Sequence, residues 1–95
     1  MPRSIKAQRT VDLAAASIRE AILGGEYPPG SWLPPERSLA GTLGINRLTL
    51  RAALARLQAE GLVRPEQGNG VLVLDYRGTA GLELLPYLAT AGGGG

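Results

Sequence analysis

Apolar residues recur along this chain in two rhythms, and the change from one to the other outlines a small fold. Val11, Ala14, Ala15, Ile18 and Ile22 stand three or four residues apart, which puts them on one face of a helix. Thr10 reads as the N-cap of that helix, with Asp12 in a first turn whose dipole favours negative charge. Gly24 and Gly25 stop it. Tyr27-Pro28-Pro29-Gly30 predicts a rigid turn, and Trp32-Leu33 a short extended piece held straight by the prolines after it. Pro34 and Pro35 are tolerated only at the opening of a helix. The second helix therefore runs from about Pro35 to Leu43, with Leu39, Ala40 and Leu43 inward, and Gly44 closes it in the left-handed conformation. Asn46 caps a third helix over Arg47 to Glu60, closed by Gly61, with Leu50, Ala53, Leu54 and Leu57 as its buried stripe.

Beyond Gly61 the rhythm changes. Leu62 to Gln67 and Val71 to Leu74 read as strands, and Gly68-Asn69-Gly70 between them is a tight hairpin signal. The order is helix, helix, short glycine turn, helix, hairpin. It predicts a mainly α domain with a small β-hairpin wing, a winged helix-turn-helix, over residues 10–75. Residues 1–9 are polar and basic and read as a flexible arm. Residues 76–95 read as a linker and the start of a connecting helix, with Leu82, Leu85 and Leu88 on one side, Pro86 as an interruption and Gly92 to Gly95 as low-complexity sequence. That leucine stripe is expected to be an interface or to fold back on the first helix.

Composition narrows the function. The 95 residues are 44% apolar, ordinary for a globular domain. There is no Cys and no His. This excludes a disulfide framework, Cys- or His-based metal sites and His-dependent triads. Glu20, Glu36, Glu60 and Glu83 show no pairing pattern, so an enzyme is not expected and no cofactor is implied. No apolar run reaches the roughly 18 residues of a membrane span, and nothing resembles a signal peptide, so a cytoplasmic location with no membrane partner is expected.

Net charge is only +2, but it is unevenly placed. From Ser31 to Arg64 there are five arginines and two acids; from Pro65 onward there is one arginine and three acids. Arginine matches its planar fork to phosphate and to the guanine edge. On the third helix Arg47, Leu48, Arg51 and Ala52 point outward. Arg47 and Arg51 lie one turn apart at the N-terminal end, the part of a helix-turn-helix that meets base edges. Asn46 and Thr49 stand within reach of phosphate. Arg37, in the first turn of the second helix, is placed for the DNA backbone or a groove edge. Leu48 is open to contact with a thymine methyl, to ordinary surface scatter or to partial packing on the second helix. At the wing tip, Gln67 or Asn69 reaches the minor-groove edge, or the turn is there for its backbone shape alone.

The stretch LPPERSLA over Leu33 to Ala40, then LGINRLTLRAALARLQAEGLV, then QGNGVLV, resembles the GntR family of bacterial repressors. The continuation DYRGTAGLELLPYLA resembles its FadR-type subgroup, where a linker helix leads to an effector-sensing domain. The resemblance implies DNA contacts from Arg37, Arg47 and Arg51. It places Asn46, Leu48 and Thr49 along the reading helix and Gln67, Gly68 and Asn69 at the wing tip. It implies a double-stranded operator with a short inverted repeat, bound by a homodimer of the full-length regulator. The fragment alone is expected to be monomeric or weakly dimeric. A small-molecule effector would act only through a C-terminal domain that this sequence does not contain. The sequence departs from the family pattern at Pro35, where Ser or Ala is usual, at Leu48 in place of Thr or Ser, at Ala52 in place of Glu, and at Glu66 and Asn69 in place of basic wing residues. The alternative function is a winged-helix module for protein or RNA contact, for which Leu48 and Ala52 on the outward face speak.

Overall fold

The chain is described by a computed structural model covering residues 3–75. Its elements are α1 (Arg3–Leu23), α2 (Glu36–Leu43), α3 (Arg47–Ala59), β1 (Val63–Glu66) and β2 (Gly70–Val73). The expectations for residues 76–95, including the Leu82, Leu85 and Leu88 stripe, lie outside the described residues.

The core forms where the helical stripes meet. Ala14, Ala15, Ile18 and Ile22 of α1 pack with Leu39 and Ala40 of α2, Leu50, Ala53 and Leu57 of α3, and Leu33, Leu62, Val63 and Val73 around the hairpin. Val11, Leu43 and Leu54 close its margins, half-buried. Alanines at 14, 15 and 53 let α1 and α3 approach closely. No charged or polar residue is buried among the described residues, so burial alone holds this core together.

The start of α1 corrects the sequence expectation. The helix begins at Arg3, not after Thr10, so the expected arm is helical from its third residue. The Thr10 hydroxyl donates to the Lys6 carbonyl at 3.0 Å, a bond inside a helix and not a cap. Ile5 to Arg9 contains neither Gly nor Pro and includes Lys, Ala, Gln and Arg, all good helix formers. Asp12 is therefore well inside α1, and its carboxylate accepts from Arg56 of α3 and does not serve the helix dipole.

Pro35 stands at the N-cap of α2 without a side-chain cap bond. Proline has no hydroxyl with which to cap, and Glu36 supplies negative charge in the first turn. Gly44 ends α2 at φ +69°, in the region where a side chain is strained, and its N–H bonds back to the Ala40 and Gly41 carbonyls. Only Gly44, Ile45 and Asn46 separate α2 from α3. Asn46 Oδ1 accepts from the Thr49 N–H at 2.7 Å and fixes the start of α3.

β1 and β2 pair antiparallel, with Val63 opposite Val73 and Glu66 opposite Gly70. Pro65, which has no N–H to offer, is accommodated because β1 is an edge strand. The extended piece before α2 joins the other edge of β2. Trp32 bridges to Leu72, the Leu33 N–H donates to the Val71 carbonyl at 2.9 Å, and the Val73 N–H donates to the Ser31 carbonyl at 2.8 Å. The wing is thereby tied to the start of α2, a link that the apolar pattern did not reveal.

Candidate nucleic-acid interface

The exposed face of α3 carries Arg47, Leu48, Arg51 and Ala52, all open to solvent as their spacing predicts. Leu48 is 77% exposed, which removes the reading in which it packs on α2. Asn46 uses its side-chain oxygen on the cap and is exposed. Thr49, half-buried, lies beside it. Arg37 is exposed in the first turn of α2 and forms no ion pair among the described residues.

Glu36 organises this face, and sequence reasoning missed it. Its Oε1 accepts from Arg47 Nε at 3.0 Å and from Arg51 Nη2 at 3.1 Å, and its Oε2 accepts from Arg51 Nε at 2.8 Å. One carboxylate thus holds both arginines. Arg51, then Arg47, keeps the Glu36 carboxyl below the usual carboxylate range by hydrogen bonding to its charged form. The same bond raises the Arg51 guanidinium further. The signal was in the sequence, since Glu36 precedes Arg37 in the quoted stretch. Its partners, however, lie 11 and 15 residues away across a turn whose angle the sequence does not state.

At the C-terminal end of α3 the arginines have another role. Arg19 of α1 grips Glu60 through two bonds of 2.8 and 2.7 Å, and Arg56 pairs with Asp12. Burial opposes the charge of Arg19, yet the Glu60 hydrogen bond outweighs it and raises the guanidinium pKa. These pairs tie α1 to α3.

The wing tip, Gln67, Gly68 and Asn69, is exposed. Gly68 at φ +82° and Gly70 at φ +105° make the turn, and the Asn69 N–H donates to the Glu66 carbonyl at 2.8 Å. The wing has little free positive charge, because Arg64 Nε donates to Glu66 at 2.5 Å. Between wing and α2 runs a groove bordered by Trp32, Pro35, Glu36, Glu66 and Asn69. On the other side of α3, the early start of α1 brings Lys6 and Thr10 to a notch shared with Asn46 and Thr49. Lys6 is the second residue that sequence reasoning passed over, because residues 1–9 read as an arm.

Two helices joined by a three-residue turn, a basic outward face at the start of the second and a hairpin beside it define a winged helix-turn-helix domain. The chain belongs to the gntR family of bacterial regulatory proteins, whose family model matches residues 10–73. It is 52% identical over 71 residues to an uncharacterized HTH-type transcriptional regulator of Mycobacterium tuberculosis, covering 75% of this chain and 29% of that protein. It is 40% identical over 86 residues to the fatty acid metabolism regulator protein of Vibrio cholerae, covering 90% of this chain and 31% of that one. The chain thus spans about a third of the length of the curated relatives it matches. Among solved structures it is similar to the DNA-binding domain of AraR in complex with an operator, with TM-score 0.65, 30% identity, and coverage of 67% of this chain and 77% of that one. The Streptococcus agalactiae GntR structure gives TM-score 0.64 and 34% identity, covering 72% of this chain and 33% of that one.

Proposed function

We propose that this chain is the sequence-specific DNA-reading head of a transcription regulator, acting as a repressor through α3 in the major groove of a short inverted repeat. The observation that carries the reading is the pair Arg47 and Arg51, with side chains 56% and 60% exposed, one turn apart beside a capped helix N-terminus. Two arginines in that place match the O6 and N7 acceptors of guanine. The AraR domain is similar in fold and was solved with an operator, which supports the same partner here.

The remaining roles follow from position. Asn46 and Thr49 meet phosphate beside the start of α3. Arg37 meets the backbone or a groove edge. Leu48 meets a thymine methyl. Gln67, Gly68 and Asn69 bring the wing against the sugar-phosphate wall, with a weak electrostatic contribution because Arg64 is occupied by Glu66. A homodimer of the whole regulator would place two such heads on two half-sites. Effector sensing would belong to the rest of that regulator. The function is binding without catalysis, in the cytoplasm where the chromosome lies.

Random-sequence DNA enriched on the purified chain, followed by titration of the selected and a scrambled duplex at two salt concentrations, tests this reading. The expected outcome is a preference for the selected duplex on top of a salt-dependent general affinity. Equal affinity for both duplexes refutes it. Tighter binding to duplex RNA than to either DNA favours the RNA-contact alternative.

A further inference from the structure

We propose that Glu36 is a specificity-determining residue, a carboxylate clamp that presets both reading arginines at the cost of general DNA affinity. The proposal rests on the DNA-reading function above. Both arginines are gripped on the same side. Arg47 gives its Nε, and Arg51 gives its Nε and the adjacent Nη2. A guanidinium carries five N–H donors. A grip along the Nε edge, even where it takes one N–H of Arg51 Nη2, leaves the outward N–H of each terminal nitrogen free, and that pair matches guanine O6 and N7. Arg47 and Arg51 are long and more than half exposed. Without a partner they would sample many rotamers, and ordering them would oppose every specific contact. Glu36 is only 29% exposed and sits on the first turn of α2, so it is the stiffer member of the trio. Arg51 and Arg47 together hold it ionised.

The charge has a second consequence. Glu36 borders the groove between wing and α2. Toward phosphates of any sequence, its negative charge is unfavourable. A residue that only filled space would not combine a repulsive charge with a fixed grip on both reading arginines. Removing the charge and keeping the shape should therefore move the two kinds of binding in opposite directions.

The test is Glu36→Gln in the full chain, titrated with the duplex enriched on the wild type and with a scrambled duplex of equal length. Affinity for the scrambled duplex is expected to rise severalfold, and the ratio of specific to non-specific affinity to fall about tenfold. A ratio kept within about twofold of wild type overturns the proposal, whatever happens to affinity. Arg Nε–H exchange, followed by NMR in the free protein, provides the second readout. Slow Arg47 and Arg51 signals that accelerate in Glu36→Gln are expected. Lost selectivity with unchanged signals would mean that Glu36 touches bases itself, and overturns the clamp. Glu36→Asp, which keeps the charge on a shorter arm, should fall between the two and guards against a folding defect in Glu36→Gln; full wild-type behaviour of Glu36→Gln alongside a defective Glu36→Asp also overturns the proposal. A wild-type chain with no preference between duplexes overturns the DNA-reading function itself and the proposal with it.

Discussion

At the C-terminal end of α3, each arginine has a carboxylate of its own. Arg56 pairs with Asp12, and Arg19 grips Glu60 with both nitrogens of one edge. At the N-terminal end, Arg47 and Arg51 share Glu36. The chemistry is the same and the stoichiometry is not. One-to-one pairs cancel their charge and join α3 to α1. The two-to-one cluster keeps a net positive charge and leaves donors unused on an exposed face. The difference teaches that counting arginines does not locate an interface. What locates it is which arginines keep positive charge after the protein's own carboxylates are satisfied. By that measure Arg56, Arg19 and Arg64, each paired with one carboxylate, drop out, whereas Arg47 and Arg51 share one and Arg37, like Arg9 of α1, has none among the described residues.

The contrast breaks most visibly if the inner face of α3 is disturbed instead of its ends. Leu57, on the inner face of α3, is fully buried. Leu57→Ala should cost about 2–5 kcal/mol of stability, enough to abolish cooperative unfolding in a domain this small. Thermal and urea unfolding would measure it. A cost below about 1 kcal/mol would mean that the described core does not carry the fold.

Changes at the N-terminal end should leave the fold alone and alter reading. Arg47→Ala and Arg51→Ala are each expected to lose about 1–3 kcal/mol of discrimination between the enriched and scrambled duplexes. Stability should stay within about 0.5 kcal/mol of wild type, since both side chains are largely exposed. Competition titration checks the first and urea unfolding the second. Wild-type discrimination in either variant would assign that arginine to the solvent.

These two predictions also separate what the sequence shows from what it hides. Ala14, Ala15, Ile18, Ile22, Leu50, Ala53 and Leu57 are all legible, because helical periodicity is local and burial follows from it. Gly44 and Asn46 are legible because a cap and a left-handed turn are chemical requirements of single residues. The start of α1 is not. Thr10 has two physical uses, a cap or a hydroxyl returned to the i−4 carbonyl, and local sequence does not choose between them. Nor is the pairing of Trp32 with Leu72, which joins residues 40 apart through backbone atoms. In the interface, the outward positions of Arg47 and Arg51 are readable from spacing. The hold of Glu36 on both depends on the angle between α2 and α3, which is set by packing and leaves no periodic trace.

The ion pairs at the C-terminal end should matter less than their number suggests. Arg19 and Glu60 are each about a third exposed. A double-mutant cycle with Arg19→Ala and Glu60→Ala should give about 0.2–1 kcal/mol of coupling in stability. It should give none in DNA discrimination, because neither residue is on the reading face. Coupling in discrimination would show that the attachment of α1 to α3 tunes the reading end, and would weaken the contrast between the two ends.

The smallest expected effect is an absence of response to pH. The chain has no His, so no side chain with an ordinary pKa titrates near neutrality. Glu36 is the group on the reading face whose charge matters most, and its carboxyl is lowered by Arg51 and Arg47. A lowered carboxyl contributes fully above its ordinary range, and the contribution fades only as pH falls through the depressed folded value. The ratio of specific to non-specific affinity should therefore be flat between about pH 5.5 and 7 at constant ionic strength. Below that window it should decline in the wild type, before the fold is lost, and the decline should be absent from Glu36→Gln. A step inside the window would require a carboxyl raised and not lowered. That would mean that Glu36 meets phosphate more closely than it meets its two arginines once DNA is bound.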